Sequence, residues 1–301
     1  MKTRSLVSSL ALAAGIALVA AGCASSSAGT DDGTVRVVAS TNVYGDIATT
    51  IGGDAVRVTS LMSDPAQDPH SFEASAQNQL AVSKADVVIE NGGGYDPFMQ
   101  TLLKGSKNQD TTVLNVVGLS GKKPVDGELN EHVWYDIPTV QKLTGALVRS
   151  LAAADPSKRA VFEKNGAALS AGLDSLEATE AKLKQSYAGE GVAITEPVPL
   201  YLLEAIGLVD KTPERFSAAI EEENDVSPVV LKDTLELFTD HRVKLLAYNE
   251  QTTSAETERV LAAAKHNGIP VVPVTETLPS GKHYVGWMQS TLDAIASALA
   301  S

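Results

Sequence analysis

The stretch from Asp155 to Tyr187 limits this chain more than any other, because its sequence leaves one long helix as the natural reading. Asp155-Pro156 pairs an N-cap acid with proline at the first helical position, where the absent N–H would have had no partner anyway. Val161, Leu169, Leu173, Leu176 and Leu183 then recur among lysine, glutamate and alanine with no internal proline, the spacing of a helix that buries one face. About 30 residues at 1.5 Å each make about 45 Å of helix, unusual inside a compact domain and well placed to bridge two lobes.

What flanks this helix agrees. From Thr34 onward, short β-branched runs alternate with amphipathic stretches: strands are predicted near 35–39, 56–61, 86–90 and 112–116, with helices near 43–51, 75–84, 96–104 and 138–154. After the long helix the alternation resumes, with strands near 191–195, 243–248 and 270–274 and helices near 200–206, 227–238, 255–266 and 284–300. The expected architecture is α/β: two Rossmann-like lobes with mainly parallel sheets, residues 34–154 and 188–301, joined by one long α-helix over 155–187.

The N-terminal residues are set aside from the fold. Lys2 and Arg4 precede an uncharged apolar run from Leu10 to Ala21, the layout of a secretory signal and shorter than the roughly 20 apolar residues of a membrane span. Ala20-Ala21-Gly22-Cys23 resembles the lipobox of bacterial lipoproteins, with Ala20 where leucine is usual. The reading is a signal peptide over 1–22, lipidation of Cys23, and a flexible tether over 23–33 whose composition cannot form a core. That expectation places the mature protein outside the cytoplasm, lipid-anchored to the outer face of the cell membrane. Loss of Lys2 and Arg4 leaves 22 basic against 37 acidic residues, a net charge of −15. Such a surface repels phosphate backbones and argues against nucleic acid as a partner. Cys23 is the only cysteine, so the mature fold is held by its core rather than by disulfides.

Neutral imidazole is the commonest nitrogen ligand of transition metals, which brings the five histidines forward. His241 and His266 stand at predicted helix ends among charges, where a solvated histidine is ordinary. His283 lies in the loop Ser280-Gly281-Lys282-His283, not far in sequence from Glu276. His70 follows Asp68-Pro69 on a loop stiffened by the proline. His132 sits in Asn130-Glu131-His132-Val133-Trp134-Tyr135-Asp136, the one short run where a histidine, two acids and a tryptophan crowd together. Trp134 and Tyr135 are expected to pack beside the site, and Asp136 to act as a local cap or as an acid supporting a ligand from behind. Glu221-Glu222-Glu223 with Asp225 reads as a solvated acidic face.

The segments Asp68 to Glu73, Ala85 to Gly92 and Glu131 to Asp136 resemble, in that order, the signature segments of the metal-binding lipoproteins of zinc and manganese ABC importers, the cluster A-I, ZnuA-like or TroA-like substrate-binding proteins. The resemblance runs from Val37 to the final helix. It implies two α/β lobes joined by a rigid helix, with a metal site in the inter-lobe cleft. It also implies a monomer that captures a divalent transition-metal ion, Zn2+ or Mn2+, and passes it to an ABC permease and its ATPase.

The family's site takes two ligands from each lobe. His70 and His132 match the first two. Glu196, in Thr195-Glu196-Pro197, matches the third, which is histidine in zinc-type and often glutamate in manganese-type members. Glu276, in Thr275-Glu276-Thr277, matches the fourth, where aspartate is usual. His283 is the alternative fourth ligand, and Glu196 and Glu276 also admit plainer readings as a helix-capping acid and a solvated loop residue. Two imidazoles with two carboxylates suit manganese relatively better than three imidazoles would, although zinc stands above manganese in the Irving–Williams order. No His-rich insertion, such as zinc-specific members often carry, lies between Ser120 and Glu131. Two other roles stay open: a surface adhesin on the same fold, and an envelope metallohydrolase. The latter needs an open coordination position and a nearby base, and neither His-Glu-x-x-His nor Gly-x-Ser-x-Gly occurs in the chain.

Overall fold

Parallel strands buried on both faces need near-continuous apolar sequence, and most of these strands have it. In the computed structural model, which describes residues 33–64, 72–124 and 129–301, β1 (Val35–Thr41), β2 (Val56–Met62), β3 (Val87–Glu90) and β4 (Thr112–Asn115) form a parallel sheet in the order β2-β1-β3-β4. Val37 lies opposite both Val58 and Val87, and Val88 opposite Val113. A second parallel sheet repeats that order as β6-β5-β7-β8, from β5 (Gly191–Ile194), β6 (Val209–Asp210), β7 (Leu246–Asn249) and β8 (Val271–Val274). The leader over 1–22, Cys23, the tether as far as Asp32, and His70 lie outside the described residues.

The helices follow the predicted alternation. They are α1 (Asn42–Gly52), α2 (Ala76–Ser83), α3 (Pro97–Gly105), α4 (Val116–Ser120), α5 (Ile137–Ala154), α6 (Arg159–Tyr187), α7 (Leu200–Ala205), α8 (Glu214–Glu221), α9 (Pro228–Thr239), α10 (Ala255–His266) and α11 (Tyr284–Leu299). Their starts are set by local chemistry: Ser75 and Ser254 make capping boxes with Asn78 and Thr257, while Ser227 caps α9 with Pro228 at its first position. Three elements have no counterpart in the sequence reading. β6 and α4 are too short to show a period, and α8 carries its apolar pair, Phe216 and Ile220, among acidic neighbours.

α6 is 29 residues long and is entered through a 3-10 turn (Pro156–Lys158) capped by Asp155, whose side chain accepts from the Ser157 N–H. Its buried positions are Phe162, Gly166, Leu169, Leu173, Leu176 and Glu180, spaced alternately by four and three, so one straight stripe faces inward. Val161, which the sequence pattern places on that stripe, is instead 43% exposed; the larger Phe162 takes the inward place. Gly166 allows close approach to α5, since a Cβ there would lie 2.4 Å from a Val148 methyl carbon. The stripe packs on α1 and α5 beside the first sheet and on α7 and α11 beside the second. Residues 33–301 accordingly make one compact unit, and one apolar cluster runs from Val37 and Ile89 through Leu173 to Ile194 and Leu292. A smaller cluster, with Phe216, Ile220, Phe238 and Val260, lies under α8, α9 and α10.

Glu180 is the exception on the stripe. It is buried, its Oε1 has no hydrogen-bond partner, and burial, with the charges of Glu177 and Asp136 adding, lifts its carboxyl to about 7. A carboxyl raised in the folded state favours the protonated form there, so its cost appears as pH climbs from about 4.5 towards 7 and is complete above that. Glu180→Gln is expected to stabilise the protein at pH 8, by on the order of 2–3 kcal/mol, and to change little at pH 4.5; denaturant unfolding at the two pH values measures the difference.

Candidate metal centre

In open parallel sheets, ligands bind outside the carboxyl ends of strands where the strand order reverses. In the second sheet that point lies between β5 and β7. Glu196 stands two residues beyond β5, Asn249 ends β7, and Glu276 stands two residues beyond β8. The first lobe meets them with Asn91, directly after β3, with Tyr95, and with His132, which leads into a 3-10 turn at Val133–Tyr135.

His132 is fully buried. Its backbone N–H and ring Nδ1 both point at Asn130 Oδ1, at 3.0 and 2.8 Å. Asn130 Nδ2 donates to the Pro197 carbonyl at 3.0 Å, which turns the amide oxygen towards the imidazole and assigns the ring proton to Nδ1. Nε2 then faces the second lobe, 3.3 Å from Glu221 Oε1 and 4.0 Å from Glu276 Oε2. Behind the ring stands an aromatic wall: Trp134 at 5.1 Å and Tyr95 at 5.9 Å between centroids, with Tyr44 edge-on to Trp134. That wall excludes water from one side of the site and leaves the carboxylates on the other.

The three carboxylates are held differently. Glu276, 2% exposed, receives Asn249 Nδ2 on Oε1 at 3.0 Å and the Tyr95 hydroxyl on Oε2 at 3.3 Å. Burial first, and then the charge of Glu276, pushes the Tyr95 phenol well above its ordinary range, so it stays a donor. Glu196 is 3% exposed, and its Oε2 has no hydrogen-bond partner. Burial, then Glu221, then Glu276 raise its carboxyl to about 8, against hydrogen bonds from Asn249 and Thr252. Glu221, at the end of α8, has a side chain only 13% exposed.

The structure thus brings together three of the expected residues, His132 and Glu276 in direct approach and Glu196 through its charge coupling to Glu276. His70 lies outside the described residues. His283 is elsewhere, at the start of α11: its side chain is 83% exposed, and Nδ1 is 2.7 Å from Asp46 Oδ1 of α1. Asp136 caps α5 through the Thr139 N–H and pairs with Lys122 at 3.0 Å. The acidic run does not behave as one solvated face, because Glu222, Glu223 and Asp225 are exposed while Glu221 turns inward. Sequence reading missed Glu221 for want of α8; Phe216 and Ile220, four apart, were the available signal. The described residues alone make no finished cage, since among them no group of three or more His, Cys, Asp or Glu side chains is spaced to hold a metal ion. A cleft of about 1000 Å³ leads to the site, with His132 and Glu221 on its wall among Glu131, Glu204, Asp210 and Glu214. Its acidic lining draws cations and repels anions.

Residues 37–298 match the family described as ZnuA, zinc-uptake complex component A, periplasmic. The manganese ABC transporter substrate-binding lipoprotein scaA of Streptococcus gordonii is 24% identical, with 93% of this chain and 94% of that protein covered. Among solved structures, a crystal structure of ZnuA superposes with a TM-score of 0.70 at 21% identity, covering 89% of this chain and 97% of that one. A manganese-bound periplasmic metal-binding protein from Candidatus Liberibacter asiaticus gives 0.69 at 20%, covering 88% and 100%. At those identities the two structures speak for the fold alone.

Asn130→Ala is expected to release the His132 ring from its single Nδ1–H tautomer while leaving the fold intact. Long-range proton–nitrogen NMR correlations of the imidazole report the change as a shift of the two ring nitrogens towards the averaged values of a mixed tautomer.

Proposed function

The chain belongs to the family of the periplasmic zinc-uptake complex component A, and on that footing we propose that it captures a divalent transition-metal ion, Zn2+ or Mn2+, outside the cytoplasm and delivers it to an ABC permease for import. The observation that carries this is the meeting across the cleft of the His132 imidazole with the carboxylates of the second lobe, at 3.3 and 4.0 Å. His132 and His70 bind through neutral imidazole nitrogens, and Glu196 and Glu276 supply the charge that offsets the cation. The family is a binding component of importers and not a class of enzymes, and the ion is cargo rather than a resident cofactor. The protein acts as a monomer, tethered to the outer face of the membrane by a diacylglyceryl group on Cys23.

The fit of donors to this task is chemical. A buried imidazole oriented by Asn130 presents one nitrogen, and the Asn130 amide acts as the outer partner that metal-binding histidines ordinarily have. Glu196, with its carboxyl raised to about 8, holds a proton at neutral pH that the ion must displace. Metal uptake therefore releases a proton, and affinity rises with pH up to about 8; below about 6.5 protonation of the imidazoles weakens it further.

Two measurements test this. Calorimetric titration with Zn2+ and Mn2+ is expected to show His132→Ala and His70→Ala each losing about 100-fold or more in affinity, and wild-type titrations in buffers of different ionisation enthalpy should report net proton release at pH 7. Unchanged affinity in His132→Ala would sink the site. Cys23→Ala is expected to move the protein from the membrane fraction to the soluble one, read by fractionation and by loss of radiolabelled lipid.

A further inference from the structure

We infer that Glu221 is a fifth protein group on the captured ion, and that its carboxylate tilts the site towards a hard, six-coordinate divalent cation such as Mn2+. This rests on the metal-capture reading above and assigns to that site a residue lying outside the four matched positions.

Glu221 is placed by construction. Phe216 and Ile220, both buried, fasten α8 to the smaller apolar cluster, and Glu221 is the next residue. The helix ends there because the chain turns back on itself: Glu223 N–H donates to the Ile220 carbonyl at 3.1 Å, Asn224 N–H to Ala219 at 2.7 Å, and Glu223 takes φ 53°, the left-handed closure usual at helix ends. A non-glycine residue in that region is uncommon. The turn sends Glu222, Glu223 and Asp225 to solvent and leaves the Glu221 carboxylate against His132.

The distances favour coordination. Two donors that each sit 2.0 to 2.2 Å from one ion lie about 3 Å apart. Glu221 Oε1 is 3.3 Å from His132 Nε2, nearer than Glu276 Oε2 at 4.0 Å. An independent sign comes from Glu196. Its Oε2 is buried without a hydrogen-bond partner, an acceptor left for an ion held between the two lobes. Of the three acids, only Glu221 also forms part of the cleft wall, so an ion entering by the cleft meets His132 and Glu221 together.

Adding this carboxylate changes which ion the donor set suits. Zn2+ is content with four ligands in a tetrahedron, so a fifth adds little to its binding. Oxygen-rich sites with more positions suit manganese relatively better. Glu221 thus acts more on Mn2+ than on Zn2+.

The test is titration of Glu221→Gln, an isosteric change, with Mn2+ and with Zn2+ in the full mature protein, beside Glu222→Gln and His132→Ala. Water-proton relaxation of the Mn2+ complex counts the waters on the ion. Expected is a loss of about tenfold or more for Mn2+, less than about threefold for Zn2+, one additional water on bound Mn2+, and no change in Glu222→Gln. Glu221→Gln with unchanged Mn2+ affinity, while His132→Ala loses it, overturns the inference and leaves metal capture standing. Equal losses for both ions with an unchanged water count overturn it too, since that marks a residue that only positions His132. Retained binding in His132→Ala removes the metal site itself, and the inference with it.

Discussion

Carboxylates buried side by side repel one another, and the second lobe's side of the cleft is built on that repulsion. Glu196, Glu221 and Glu276 share a space from which water is largely excluded, where a charge acts far more strongly than at the surface. The carboxyl of Glu196, raised first by burial and then by the charges of Glu221 and Glu276, registers part of the cost. Hydrogen bonds from Asn249 and Tyr95 to Glu276 offset part of it. What remains is a demand for positive charge at a defined point, and a divalent cation answers it with the least rearrangement.

Everything around that point serves to keep it fixed. The Tyr135 hydroxyl donates to the Thr275 carbonyl at 2.8 Å and the Tyr201 hydroxyl to the Asn130 carbonyl at 2.7 Å. Asn42 makes a reciprocal pair with the Leu278 backbone, both bonds 2.8 Å. These bonds tie the segments around His132 and Glu276 to the opposite lobe. Beneath them the α6 stripe and the apolar cluster run unbroken from one sheet to the other. A joint filled with close-packed side chains resists hinge bending, because opening it would expose apolar surface. The donors therefore keep their spacing through the stiffness of the scaffold more than through bonds among themselves.

The sequence was legible where one physical rule acted alone. The long helix announced itself through proline placement and a stripe of leucines, and the sheets through β-branched runs. Legibility failed where two rules competed. α8 has only two apolar anchors in eight residues, so the acids around Phe216 and Ile220 hid it and Glu221 passed for one of a solvated run. His283, close to Glu276 along the chain, stands at the start of α11 and is drawn off by Asp46 of α1, a partner 237 residues away that no local pattern reveals. The site's donors reach one another only through the repeated strand order β2-β1-β3-β4 and β6-β5-β7-β8, and no internal repeat in the sequence advertised it.

Choice of ion is where ligand type and ligand number part company. At a fixed set of nitrogen and oxygen donors zinc binds more tightly than manganese, so counting imidazoles and carboxylates along the chain cannot settle which ion is preferred. A protein can shift the balance by geometry, offering more donors than a tetrahedron uses and holding them apart so that a small four-coordinate ion cannot draw them in. A stiff inter-lobe joint works in that direction, and on the proposed assignment so do the carboxylates of Glu276 and Glu221. The same stiffness that fixes the spacing of the donors also limits how far they can contract around the smaller ion, so rigidity and selectivity share one cause.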